Sequence, residues 1–310
     1  MPDKVLVTLI VLLFPCSLFS QVKKDTSIKV DGKFITLSEI VINNKLNVPA
    51  FINRVKSDTT FYKAFRTLHI IGFTALNDIR MVDKNGVTKA SLLSKIKQVR
   101  KNNCRSMEVL QETIFGDMYD VKKNFNYYTG EMYAGLFFTK DSVCGEDNIV
   151  KGHEFSTAGV SGMEKHKQQL KMLFFNPGRK ISGIPLMGNK TALFDDNMSD
   201  KYDMSIDMDE YNKTSCYIFK IKVRDENKRD VVIDEMTTWF NDKTFEIVAR
   251  DYVLSYDAGV YDFNVQMHVE MTKFAEYLVP SLIRYNGNWK AIFKKRERGI
   301  FTATLFDFRK

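Results

Sequence analysis

The strongest constraint on this chain is an alternation of apolar and polar residues that begins at Tyr202 and recurs almost to its end. In Tyr202-Asp203-Met204-Ser205-Ile206-Asp207-Met208-Asp209 every second side chain is apolar, and three acids fall on the opposite side. Residues 217–223 repeat the pattern, with Tyr217, Phe219, Ile221 and Val223 set against Lys220 and Lys222. Residues 261–271 do so again, Phe263, Val265, Met267, Val269 and Met271 alternating with Asn264, Gln266, His268 and Glu270. Successive side chains of a strand point to opposite faces, so a period of two predicts a sheet with one dry and one wet face. With 231–240, 245–256, 282–293 and 299–308 the last third predicts seven strands, the segment 282–293 turning at Tyr285-Asn286-Gly287-Asn288. Connections this short exclude parallel crossovers and leave an antiparallel meander.

Upstream the period changes. Between Asn47 and Leu68, Phe51, Ile52, Val55, Phe61, Phe65 and Leu68 recur at spacings of three and four. With Asn47 as a cap and Pro49 in the first turn, this predicts a helix. Ile79–Val82 and Val87–Val99 flank Asp83-Lys84-Asn85-Gly86, and Asn-Gly is a strong hairpin signal. Residues 105–119 add a strand. Residues 127–138 and 162–175 read as helices, the second capped by Ser161 and stopped by Asn176-Pro177-Gly178. The expectation is one α+β domain over 34–310 with a helical insertion around 120–200.

The N-terminus reads as an export signal. Val5 to Phe14 is apolar, Pro15 and small residues follow, and the chain turns polar at Lys23. Such a run is too short for a membrane span of ~20 residues and suits a signal peptide over 1–20, cleaved after Ser20. Residues 21–33 are expected to be a flexible leader. Cys16 raises a lipoprotein signal as the rival reading, but Phe14-Pro15 stands where a small residue is wanted. In an oxidising compartment the three remaining cysteines allow at most one internal bridge. Cys104 and Cys144 sit in polar, loop-like stretches and are the expected pair; Cys216 opens an apolar strand and is expected to be a buried thiol. The net charge of +8 is dispersed. Export excludes genomic DNA as a partner, so the basic residues read as a solvated surface, with an anionic membrane surface as their functional alternative.

Catalytic signatures are wanting. Gly159-Val160-Ser161-Gly162-Met163 has Met where a nucleophile elbow needs Gly, and the chain has no Walker A, G-x-G-x-x-G or H-E-x-x-H sequence. His69, His153, His166 and His268 are scattered, which predicts no zinc site. Asp203, Asp207 and Asp209 share one strand face, too regular for a calcium loop. No cofactor is expected. What remains is an inner face rich in Met and aromatics: Met204, Met208, Phe219, Trp239, Phe263, Met267, Met271 and Trp289. Flexible thioethers and large rings can line a site for an apolar guest or fill a dry core, and periodicity does not separate the two.

The order of elements, a signal segment, an amphipathic helix at Asn47–Leu68, strands, a helical insertion and a long antiparallel meander, resembles the LolA/LolB-like lipoprotein carriers of the periplasm and uncharacterised secreted proteins of Gram-negative bacteria. The run from Val232 to Arg250, with Trp239-Phe240 and the turn Asp242-Lys243-Thr244, is similar to that superfamily's strand-turn-strand unit. The resemblance implies an unclosed antiparallel barrel whose concave face, partly plugged by helices, holds an acyl chain or lipid. It implies a non-enzymatic protein of the periplasm or outer-membrane periphery, with the membrane surface or an outer-membrane protein as further partners. No ligand contact of the family maps onto a residue here. An interaction module with a filled core, and a hydrolase built from Asp, Glu and His of separated strands, are the alternatives.

Overall fold

The computed structural model describes residues 25–150, 172–181, 187–258, 261–291 and 295–310. The signal segment, and the helix expected over 162–175 apart from its helical last turn at 172–175, lie outside the described residues. The strands are β1 (Thr26–Val30), β2 (Lys33–Leu37), β3 (Gly72–Val82), β4 (Thr88–Lys101), β5 (Cys104–Gly116), β6 (Ser142–Cys144), β7 (Tyr202–Tyr211), β8 (Thr214–Val223), β9 (Ile233–Asn241), β10 (Ile247–Asp257), β11 (Tyr261–Phe274), β12 (Tyr277–Ala291) and β13 (Glu297–Arg309). The helices are α1 (Glu39–Asn43), α2 (Val48–Ser57), α3 (Thr60–Thr67), α4 (Tyr128–Phe137) and α5 (Asp196–Ser199).

All thirteen strands form one sheet, in the order β1-β2-β7-β8-β9-β10-β11-β12-β13-β3-β4-β5-β6. Neighbours are antiparallel except β2 and β7, which run parallel. The seven C-terminal strands follow one another as a meander. The two ends, β1 and β6, do not pair, so the barrel is open.

The sheet bends around its helices. The ring of Phe61, at the start of α3, lies 6.3 Å from that of Tyr252 on β10. The carbonyl of Leu68, just past the end of α3, accepts from Gln98 Nε2 on β4 at 2.6 Å. Five strand steps separate β10 from β4, about 24 Å in a flat sheet. The helical rise from Phe61 to Leu68 is only about 10 Å. The inner face therefore curves toward α3, and the same short helices reach strands far apart in the order.

Those helices carry the core. Phe51 of α2 makes ring contacts with Tyr217, Phe219 and Phe240 on β8 and β9. Tyr133 of α4 stacks on Phe301 of β13 at 5.2 Å and meets Tyr285 of β12 edge-on. Arg250 is buried beneath α3, its guanidinium 4.3 Å over the Phe61 ring and its Nε donating to Thr238.

Four local expectations are corrected. First, the helix over Asn47–Leu68 is two helices. Asp58 has extended backbone between them and is the C-cap of α2, and its Oδ1 accepts from the amide and hydroxyl of Thr60, which fixes the link to α3. Second, from Thr26 the segment expected as a leader is a hairpin. It turns at Asp31 and Gly32, both at positive φ, and buries Val30, Ile35 and Leu37. Third, Trp239 does not share the inner face. On β9 that face belongs to Met236, Thr238 and Phe240, and Trp239 stands opposite, 5.2 Å from Tyr211. Fourth, Tyr285-Asn286-Gly287-Asn288 is not a turn. β12 runs through it, and the chain reverses at Ala275 and Glu276, with Ala275 at φ 53°.

Gly287 has a different purpose from the one its neighbours suggest. A Cβ there would lie 2.3 Å from the Tyr285 hydroxyl, because the Tyr285 ring lies across the glycine toward Trp289, whose Nε1 donates to that hydroxyl. The glycine is the floor under a tyrosine. Gly287→Ala is therefore expected to cost about 1–3 kcal/mol in urea unfolding, as overpacking does. If the residue merely loosened a turn, alanine would be neutral or stabilising.

Candidate functional site

Six of the expected ligand contacts, Met204, Phe219, Phe263, Met267, Met271 and Trp289, are buried on the inner face. Phe263 stacks on Trp289 at 4.5 Å. The sulfur of Met267 lies 3.3 Å from the Tyr252 hydroxyl, which also donates to the Phe174 carbonyl. Met208 is half-buried and accepts from Asn44 Nδ2. These side chains are spread along the sheet and packed beneath helices, rather than gathered around one opening.

The structure opens a cavity elsewhere, between α3, α4 and the ends of β3, β4 and β5, with a volume of about 350 Å³. Its apolar lining includes Phe65, Phe73, Phe137, Phe138, Met172 and Phe175. None of the eight residues named from the sequence lines it. Phe65 and Phe175 lie 4.4 Å apart, and Phe137 meets Phe175 edge-on.

One side of this cavity is polar, formed by Arg66, His69, Gln98, Arg105 and Glu146. Gln98 stands at an inward position of β4, where Ala90, Leu92 and Ile96 are apolar, and its amide donates to the carbonyls of Leu68 and Ile71 at 2.6 and 2.7 Å. It therefore ties off the chain leaving α3. Arg105 is only 15% exposed; it binds Glu146 through Nε and Nη2, and Thr139 and Gln98 through Nη1. Arg66 donates from Nη2 to the carbonyl and carboxylate of Asp147, both at 2.9 Å. His69 Nδ1 lies 2.9 Å from Glu146 Oε1.

Glu146 reaches the cavity, and Asp147 its neighbour Arg66, on a strap held by β6. Cys104 and Cys144 are joined by a disulfide across the β5–β6 pair, closing a sequence separation of 40 residues. Cys216 is a buried free thiol whose pKa burial pushes up to about 11.

The electrostatics of the cavity follow from its partial burial. Burial, reinforced by the Arg105 and Arg66 guanidiniums, outweighs Glu146 and pushes the His69 pKa down to about 4. Burial alone would raise Glu146, but Arg105, His69 and Arg66 together hold it below the usual carboxylate range. The imidazole is thus neutral, and the fixed charges are guanidinium and carboxylate.

A second polar cluster occupies the outer face. His268 on β11 lies between Asp251 and Glu270, and the Tyr211 hydroxyl donates to Glu270 at 3.0 Å. The hydrogen bond to Asp251 raises the His268 pKa. Among the described residues no group of three or more His, Cys, Asp or Glu is placed to hold a metal. No helix among them is long and apolar enough to cross a membrane.

No family model and no curated protein matches the sequence. Two solved structures are similar in outline. One is a domain named as an outer membrane lipoprotein-sorting protein, from Vibrio parahaemolyticus. It has 8% identity and a TM-score of 0.28, over 84% of this chain and 89% of that one. The other is a DUF1329 family protein from Desulfovibrio piger, with 10% identity and a TM-score of 0.26, over 81% and 93%. Scores this low carry no more than the outline.

The two histidines make opposite contributions to stability. The folded pKa of His69 lies below its unfolded value of ~6.5, so its contribution is complete above that value and is lost as pH falls toward 4. The folded pKa of His268 is raised, so its contribution is complete below ~6.5 and is lost as pH rises through the folded value. In a proton–carbon NMR titration His69 is expected to stay neutral down to about pH 4. His268 is expected to be still mostly protonated at pH 6.5. A His69 that titrates like a free imidazole would mean that water fills the cavity.

Proposed function

We propose that this chain is a non-enzymatic binding protein for an apolar ligand, an acyl chain or lipid, working in the periplasm or at the periphery of the outer membrane. The observation that supports this best is the aromatic cavity on the inner side of the open sheet, with an apolar lining and a few convergent polar groups. Ligand pockets run from roughly 300 to 1,000 Å³ and have this make-up. Each methylene moved from water onto such walls contributes about 0.8 kcal/mol. Glu146 is engaged by Arg105 rather than by a nucleophile, which favours binding over catalysis. The signal-like run at 5–14 and the disulfide support export.

In this reading none of the eight residues named from the sequence holds the ligand. Phe263, Met267 and Trp289 belong to the packed core, and the ligand is held by the aromatic rings between α3 and α4. Two measurements test the division. Organic extracts of natively purified protein should contain a lipid by mass spectrometry, and the neutral fluorophore N-phenylnaphthylamine should bind. Phe138→Asp is expected to weaken the fluorophore at least tenfold, about 1.4 kcal/mol, with the melting temperature within a few degrees of wild type. Met267→Asn should instead unfold the protein. Neither lipid nor fluorophore bound by wild type would overturn the reading.

A second reading, an interaction module, rests on the edge strand β5. Among the described residues it pairs with β6 only at Cys104, Arg105 and Ser106. Beyond these, Val109, Leu110, Ile114 and Phe115 are exposed, Val109 by 62% and Phe115 by 59%. An exposed apolar edge of this length invites an added strand. Under this reading light scattering should show self-association of the wild type, abolished by Ile114→Lys.

A further inference from the structure

We infer that the ligand of the aromatic cavity carries an anionic head group, a carboxylate at the end of an alkyl chain, which takes the guanidiniums of Arg66 and Arg105 over from Asp147 and Glu146. The inference rests on the reading of this cavity as an apolar ligand site.

Three observations lead to it. The first is charge. Arg66, Arg100 and Arg105 meet at this end of the sheet, Arg100 through its bond to the His69 carbonyl, against the two carboxylates of Glu146 and Asp147. With His69 neutral, the group keeps a surplus of one positive charge. The second is unused donor capacity. Among the described residues the buried Nε of Arg66 has no hydrogen-bond partner, although the same guanidinium holds Asp147 through Nη2. A guanidinium binds a carboxylate best with two parallel N–H groups, and only one arm of Arg66 is so engaged. The third is placement. The aromatic rings and the guanidiniums line one cavity, so a chain among the rings brings its head to Arg66 and Arg105.

Exchange is also the only inexpensive route in. Removing one partner from a partly buried ion pair leaves an uncompensated charge, and a neutral head offers no replacement. A carboxylate exchanges like for like. Glu146 and Asp147 follow immediately on the β6 strap, so they can turn to water while the disulfide at Cys144 holds the strap in place. The pairs now seen thus select against neutral amphiphiles.

Calorimetric titration of the intact protein at pH 7.5 with decanoate, decanol and acetate tests this. Wild type should bind decanoate at least tenfold more tightly than decanol, with acetate giving no measurable binding. Arg105→Gln should bring the ratio close to one, weakening decanoate and, because the pair that a neutral head must break is gone, leaving decanol bound no more weakly than in wild type; Arg66→Gln should act in the same direction. Glu146→Gln, which weakens the competing carboxylate, should tighten decanoate severalfold. Circular dichroism checks each variant, and if Arg105→Gln fails to fold, Arg66→Gln carries the comparison. Equal affinity of wild type for decanoate and decanol would overturn the inference and leave the apolar site standing, as would a ratio untouched by the arginine variants. If acetate binds as well as decanoate, the site is an anion site without a chain, and both readings fall. Binding of neither decyl compound removes the ligand site itself and the inference with it.

Discussion

An open sheet with one apolar face must cover that face, and the helices available here are short: none of the described ones exceeds ten residues. Much of the architecture follows from this shortage. Straight helices of that length can cover ten or more strands only if the strands come to them, so the sheet curves until β10 and β4 meet the two ends of one eight-residue helix. Single helix rings then cover the seams between neighbouring strands, Phe51 that of β8 and β9 and Tyr133 that of β12 and β13. The inner face is then mostly filled. Its Met and aromatic residues serve first as packing, with Gly287 giving up its side chain to admit Tyr285.

The cavity lies where this cover thins, between the end of α3 and α4, and the polar groups found there have structural duties as well. Gln98 holds the exit of α3, Arg105 joins β5 to the strap and to Gln98, and Arg66 joins α3 to the same strap. A site of this kind is not placed on a finished scaffold. The bonds that close the end of the barrel are also the bonds a ligand would encounter, so affinity and stability at this end are coupled.

The legible part of the fold was the part governed by a local period. Alternation from Tyr202 onward placed six of the seven C-terminal strands, β12 being read as broken by a turn, and Asp83-Lys84-Asn85-Gly86 placed the β3–β4 hairpin. Errors came where a residue's reason is non-local. Asn286-Gly287 reads as a turn because the tyrosine ring that requires the glycine cannot be seen in a linear pattern. Trp239 stands between Thr238 and Phe240, and because the inner face of β9 takes the polar Thr238, a rule that assigns every large apolar side chain inward puts the tryptophan on the wrong face. Asp58 is a polar residue within a helical period and turned out to be a cap. The cavity was illegible for the same reason on a larger scale: Arg66, His69, Gln98, Arg105 and Glu146 come from separated segments, and no spacing rule joins them. One signal was present, since Gln98, like Ser94, is a polar residue in the inward series of β4, and a polar residue at a core position needs an explanation.

The disulfide has a consequence for how the protein matures. Every strand from β7 to β13, and the β3–β4 hairpin, is specified by patterning that no redox condition alters. The polar wall of the cavity is different, because Glu146 stands two residues after Cys144, and Asp147 three, on a strap whose strand pairing extends over three residues. The sheet is thus specified without the disulfide, whereas the part of the cavity wall carried on the strap depends on it for its place.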